Sequence, residues 1–90
     1  MNDAILIDER ALVERIEAHA QVGAIEHGGV CRIALTDADK AGRDLLVRWM
    51  RELGLQLRID RIGNIFGIRP GAEPGLPPVM TGSHIDTVAT

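Results

Sequence analysis

Aromatic residues are scarce in this 90-residue chain, which has one Trp, one Phe and no Tyr. Aliphatic side chains must therefore fill its interior, and they supply most of the 46% of residues that are hydrophobic. A chain of this length is enough for one small domain with a modest core.

Cysteine is almost absent too, since Cys31 is the single example and excludes an intrachain disulfide. The N-terminus has no basic segment before its apolar run, which is too short for a signal peptide. No apolar stretch approaches the length of a membrane span. We therefore expect a cytoplasmic protein without a membrane partner.

An excess of positive charge is also missing, because the formal net charge is −3. A nucleic-acid-binding surface needs a basic face. Several arginines adjoin acidic residues in the sequence, which is typical of a solvated surface. We expect no nucleic-acid partner.

Two helices are predicted in the first half of the chain. The first is expected from about Glu9 to Gly23, with Asp8 as its N-cap. The second is expected to start after Thr36, whose side chain and Asp39 form a capping-box-like pair, and to end at Gly54. Each carries apolar residues at helical spacing that we expect to form core, namely Leu12, Val13, Ile16 and Ala20, then Ala38, Ala41, Leu45, Leu46, Trp49, Met50 and Leu53.

The hydrophobic period changes to two after the second helix. Residues 55–60 alternate as a half-buried strand, Gly63 and Asn64 indicate a turn, and residues 65–68 a returning strand. A surface loop over 70–78 is followed by an apolar segment, 79–82, that we expect to be a central strand. The predicted class is α/β, with an incomplete sheet.

The chemically most informative segment follows residue 82. His84 and Asp86 are two apart, so in an extended chain both side chains face the same pocket while Ile85 turns back toward the core. A carboxylate beside a metal-binding histidine fixes which ring nitrogen carries the proton. On spacing alone, we favour the alternative of an exposed or capping histidine and a capping or turn-forming aspartate.

The other two histidines are weaker candidates. His19 is expected to be a partly exposed helix residue. His27 and Cys31 are four apart, but that spacing brings two ligands to one metal only on a helix, and Gly28 and Gly29 argue against one.

Residues 79–88, Val-Met-Thr-Gly-Ser-His-Ile-Asp-Thr-Val, resemble the first metal-ligand motif of the M20-type metallohydrolases. The similarity is to the amidase (hydantoinase/carbamoylase) branch, which includes N-carbamoyl-L-amino-acid hydrolases, allantoate amidohydrolases and β-ureidopropionases. Residues 28–37, the helix over 44–54 and residues 60–67 resemble the same branch.

This resemblance implies that residues 1–90 are the N-terminal portion of the metallopeptidase-like catalytic domain. It implies His84 as a ligand of a two-metal centre (Zn, Mn, Co or Ni) and Asp86 as the catalytic-site aspartate that orients it. The remaining ligands, the general base and a lid domain that mediates homodimerisation are expected beyond residue 90. The implied reaction is metal-assisted hydrolysis of a carbon–nitrogen bond in a small carbamoyl or ureido substrate.

We expect the 90-residue chain alone to be inactive, because catalytic zinc ordinarily needs three protein ligands. The alternative is a non-enzymatic remnant or interaction module with an unpaired sheet edge, which would pair with other chains.

Overall fold

A computed structural model describes residues 4–89. The helices are α1 (Glu9–Ala20) and α2 (Asp37–Glu52), with a short 3₁₀ turn (Glu26–Gly28) between them. Two strands follow, β1 (Gln56–Ile59) and β2 (Ile65–Ile68). The α/β class predicted from the sequence is confirmed.

Helix α1 starts where the sequence predicts and ends earlier. The Asp8 carboxylate accepts a hydrogen bond from the amide of Ala11 at 3.1 Å, so the N-cap is confirmed. The helix ends at Ala20 rather than at Gly23. Gly23 has φ +84° and its carbonyl accepts from the amide of Cys31, and a Cβ there would lie 2.6 Å from the Cys31 carbonyl oxygen. The helix ends early because the chain turns at Gly23 to pair with the segment that contains Cys31.

Helix α2 follows the prediction at both ends. The Thr36 hydroxyl accepts from the amide of Asp39 at 3.3 Å, and Gly54 follows the helix with φ +76°. In a standard capping box the side chain at the third helical position accepts from the amide of the N-cap residue. Here the Asp39 carboxylate accepts instead from the amide of Leu35, 3.0 Å away. That bond supports Leu35 at its unusual φ of +71°.

Strands β1 and β2 form the predicted antiparallel hairpin, in which Gln56 faces Ile68 and Ile59 faces Ile65. Its turn is organised by the Asp60 carboxylate, which accepts from the amide of Ile62 and from the amide and side chain of Asn64. These bonds, led by that of the Asn64 side chain, hold the pKa of Asp60 below its ordinary value of 3.8.

The apolar stripes of the two helices are not the buried core that the sequence predicts. Within residues 4–89 no hydrophobic residue is fully buried. Leu12, Val13 and Ile16 are exposed, and Trp49 is half-buried. Helix α2 packs against β1. Among the described residues, no further layer covers the remaining apolar faces of the helices.

The predicted central strand over residues 79–82 is also wrong. The segment is extended without strand pairing, and Val79 is fully exposed. A strand needs a neighbouring backbone to bond with, and among the described residues the sheet consists of β1 and β2 alone. No helix within residues 4–89 has the length and apolar character needed to cross a membrane.

Candidate metal-ligand site

The segment that contains His84 is attached to the middle of the chain. The amide of Thr87 donates to the carbonyl of Arg32 at 2.8 Å, and the Thr87 hydroxyl accepts from the amide of Arg32 at 2.7 Å. Arg32 lies in the connection between α1 and α2. Residues about 55 positions apart are thereby brought together, which places His84 and Asp86 beside the start of α2.

His84 and Asp86 face the same cleft, as the two-residue spacing predicts. Nδ1 of His84 lies 3.0 Å from the Asp86 carbonyl oxygen and 3.3 Å from its carboxylate oxygen Oδ1. An ionised carboxylate and a carbonyl oxygen both accept only. In the neutral imidazole Nδ1 therefore carries the proton, and Nε2 presents its lone pair.

The accessibility of the pair suits a ligand. The His84 side chain is 80% exposed, whereas that of Asp86 is 47% exposed. Ile85 is half-buried and lines a groove between α1 and α2 that also contains Trp49. The outward imidazole and the half-buried Ile85 follow the alternation expected of an extended segment, although Ile85 also borders the cleft that His84 and Asp86 line.

The cleft in front of His84 has a volume of about 250 Å³. Charged and polar residues of α2 and of the hairpin turn line it together with His84 and Asp86, and they are Asp39, Arg43 and Asn64. Asp39 is only 8% exposed and its carboxylate is bonded to the amide of Leu35, so its position is fixed. The capping pattern predicted where Asp39 lies along the helix, but nothing in the sequence indicated that it would line this cleft.

The described residues do not complete a metal site. Nowhere in the 4–89 range do three His, Cys, Asp or Glu side chains come close enough to hold one ion. The exposed His27 lies in the 3₁₀ turn at φ +64°, and Cys31 follows the turn, so the helical alignment that a shared metal would need is absent. Among these residues His84 fits one metal ligand but is not part of a complete ligand set.

Sequence reasoning missed the most highly bonded side chain near the site. Arg32 is only 5% exposed, and its guanidinium donates to the carbonyls of Ile85, His19 and Val22 and to Nδ1 of His19. The sequence offered no signal for this role, because its other arginines are exposed or half-buried and look no different in sequence context.

Comparison with known proteins identifies the class. No family model matches the chain. It is 40% identical over 84 residues to an N-carbamoyl-L-amino-acid amidohydrolase of Pseudomonas sp. (strain NS671), covering 93% of this chain and 20% of that protein. It is 36% identical over 80 residues to an allantoate amidohydrolase of Bacillus subtilis, covering 89% of this chain and 19% of that protein.

A solved structure agrees with these relatives. The crystal structure of a hydantoinase/carbamoylase family amidase from Burkholderia vietnamiensis superposes with a TM-score of 0.94 at 43% identity. The superposition covers 100% of this chain and 22% of the amidase. In fold and sequence the chain matches one part of the hydantoinase/carbamoylase amidases. It spans about a fifth of the length of the relatives it matches.

Proposed function

We propose that this chain forms the first metal-ligand region of a metal-dependent amidohydrolase that cleaves a carbon–nitrogen bond of N-carbamoyl or ureido amino-acid substrates. The observation that carries the proposal is the His84–Asp86 pair, whose geometry suits a metal ligand. It lies in a chain aligned over 93% of its length with a protein named for hydrolysis of N-carbamoyl amino acids.

In this proposal His84 binds a divalent ion through Nε2. Asp86 is the residue that orients it, because its two acceptor oxygens keep the proton on Nδ1. Loss of such an orienting group typically costs ten- to a hundredfold in metal affinity or activity. A pair of divalent ions (Zn, Mn, Co or Ni) would supply polarisation of the carbonyl oxygen and an acidified water, which an unreactive ureido carbonyl requires.

One imidazole does not hold two ions, since catalytic zinc ordinarily takes three protein ligands. We propose that the remaining ligands and the general base belong to the other four-fifths of the length seen in the relatives. A part of the enzyme that corresponds to this remaining length of the relatives would also provide a homodimer contact. We propose a cytoplasmic location for the whole enzyme, in keeping with the single cysteine.

A chimera tests this function directly. Residues 4–89 replace the matching fifth of the Pseudomonas amidohydrolase, and hydrolysis of an N-carbamoyl-L-amino acid is measured together with bound metal. We expect an active chimera that His84→Ala inactivates with loss of metal. His27→Ala is the matched control, because His27 is exposed and lies in the 3₁₀ turn away from the cleft.

Two outcomes would contradict the proposal. One is a folded chimera in which His84→Ala leaves metal content and rate unchanged. The other is hydrolysis by the 90-residue chain on its own that His84→Ala abolishes, since that would show a complete site within these residues.

The exposed apolar faces favour a second candidate, a non-enzymatic interaction module. Three aliphatic side chains of α1 are 44–60% exposed, and β1 and β2 pair only with each other among the described residues. Such surfaces tend to associate with other chains. Sedimentation and an unfolding experiment on the purified chain test the module. Folding only in the presence of a partner favours it, whereas a monomer with a sharp, cooperative unfolding transition opposes it.

A further inference from the structure

Arg32 is a buried charge without a carboxylate partner. The residue is 5% exposed, and within residues 4–89 no Asp or Glu forms an ion pair with it. A buried guanidinium must be neutralised by other means or its desolvation is costly. Four donor–acceptor contacts of 2.6–3.1 Å do this here, three with carbonyl oxygens and one with a histidine nitrogen.

Two of these carbonyls lie at the C-terminal end of α1. Nη1 donates to His19 at 2.9 Å and to Val22 at 2.6 Å. Carbonyls there have no partner within the helix, and the negative end of the helix dipole favours a cation. The guanidinium is therefore fixed at the end of α1, where it caps the helix.

His19 extends this attachment to α2. Because a guanidinium only donates, Nδ1 of His19 must accept from Nη2 of Arg32 at 3.1 Å. The ring proton then lies on Nε2, which donates to the carbonyl of Gly42 at 3.1 Å. A Cβ at Gly42 would lie 2.7 Å from Cδ of Arg32, so the guanidinium arm lies directly against the helix backbone.

The other contacts of Arg32 and Thr87 hold the metal-ligand segment. Nε of Arg32 donates to the carbonyl of Ile85 at 2.9 Å. The backbone of Arg32 bonds to both the amide and the hydroxyl of Thr87. That hydroxyl lies 3.1 Å from the Val30 carbonyl and 2.9 Å from the Val88 carbonyl, and it donates its one proton to either. The residues before and after Asp86 are thus both attached to the connection between α1 and α2.

We propose that Arg32 and Thr87 are positioning residues. By holding Asp86 in place, they determine which ring nitrogen of His84 carries the proton. Asp86 provides both acceptors of Nδ1, and its backbone is held between Ile85 and Thr87. We call the contacts that attach Ile85 and Thr87 to Arg32 the clamp. When these contacts are lost, Asp86 moves relative to the imidazole and the preference for the Nδ1–H form weakens. The consequence for metal binding rests on the proposed function, whereas the preference itself does not.

Nitrogen-15 NMR of the histidine rings in the 90-residue chain tests the clamp. The ratio of the Nδ1–H to the Nε2–H form of His84 is measured at about pH 8.5, where ordinary imidazoles are neutral. We expect Thr87→Val to lower this ratio about fivefold, which corresponds to the loss of one ordinary hydrogen bond. Exchange of the residue-87 amide should accelerate by a similar factor.

Matched variants separate positioning from general stability. Thr87→Ser keeps the hydroxyl and should retain the original ratio, and Thr81→Val is a control because Thr81 is exposed. Arg32→Gln should shift His84 in the same direction as Thr87→Val. An unchanged ratio in Thr87→Val with its helices intact would overturn the proposal, as would loss of the helices in that variant, since Thr87 would then be a general stability residue.

The His84 ratio and the metal content of the chimera test the clamp and the proposed function separately. If Thr87→Val leaves the His84 ratio unchanged while the chimera needs His84 for metal and activity, the clamp is wrong and the function stands. If Thr87→Val shifts the ratio but His84→Ala leaves the chimera's metal content unchanged, the clamp stands and the function is wrong.

Discussion

Replacing Gly42 by Ala tests whether the Arg32 side chain is held firmly against α2. Ala is favoured over Gly in a helix interior by about 1 kcal/mol. The new Cβ would however lie 2.7 Å from Cδ and 3.1 Å from Nε of Arg32. Overpacking of this kind costs about 1–3 kcal/mol when the neighbour cannot move. Arg32 makes four contacts that oppose its movement, so we expect a net destabilisation of about 1 kcal/mol.

The sign should reverse when Arg32 is removed. In an Arg32→Ala background the close contact is gone, and Gly42→Ala should stabilise by about 1 kcal/mol through helix propensity alone. The coupling between the two positions is then about 2 kcal/mol, well above the error of a double-mutant cycle. The free energy of unfolding is measured in urea by helical circular dichroism and Trp49 fluorescence.

Gly71→Ala is the control, since a Cβ there meets nothing within 4 Å and should change stability by less than about 0.5 kcal/mol. Stabilisation by Gly42→Ala in the original chain would refute the reasoning. It would mean that the Arg32 side chain moves aside without cost and does not hold neighbouring segments in place.

Three further predictions concern the rest of the fold. Trp49→Ala should cost about 2 kcal/mol in urea unfolding, below the 3–5 kcal/mol of a fully buried aromatic, because Trp49 is half-buried; a larger loss would show that it is more deeply packed. Thr36→Ala should cost about 1 kcal/mol through loss of the α2 cap, and Thr81→Ala should cost almost nothing. The turn bonds of Asp60 lower its pKa, so their stabilisation is present above pH 3.8 and is lost as pH falls through the lower folded value. The Asn64 amide shift in an NMR titration should report that midpoint, and one at or above 3.8 would contradict the assignment.

Features decided by near neighbours in the chain were predicted well. Asp8 and Thr36 cap their helices, Gly54 follows α2 in the left-handed region, and the hairpin forms at residues 56–68. Each depends on contacts over a few residues or on a simple period. The mutual placement of His84 and Asp86 belongs to the same group, because a separation of two along an extended chain orients both side chains alike.

Features decided by distant parts of the chain were missed or mistaken. An apolar period at Leu12, Val13 and Ile16 indicates which face of α1 could be buried, but burial requires a covering layer that residues 4–89 lack. Residues 79–82 have the composition of a strand but no neighbouring strand. Composition and period describe a preference, whereas pairing and burial need a second surface.

The amino-acid sequence by itself determined the start of both helices, the hairpin and the one-sided presentation of an imidazole with its carboxylate, because each follows from interactions within a few residues. Only the tertiary structure decided that Arg32 would become a buried cation joining the end of α1 to the segment around Thr87. That outcome requires contacts between groups up to 55 positions apart, at a place where carbonyl oxygens replace water around the charge. No local sequence pattern specifies such contacts.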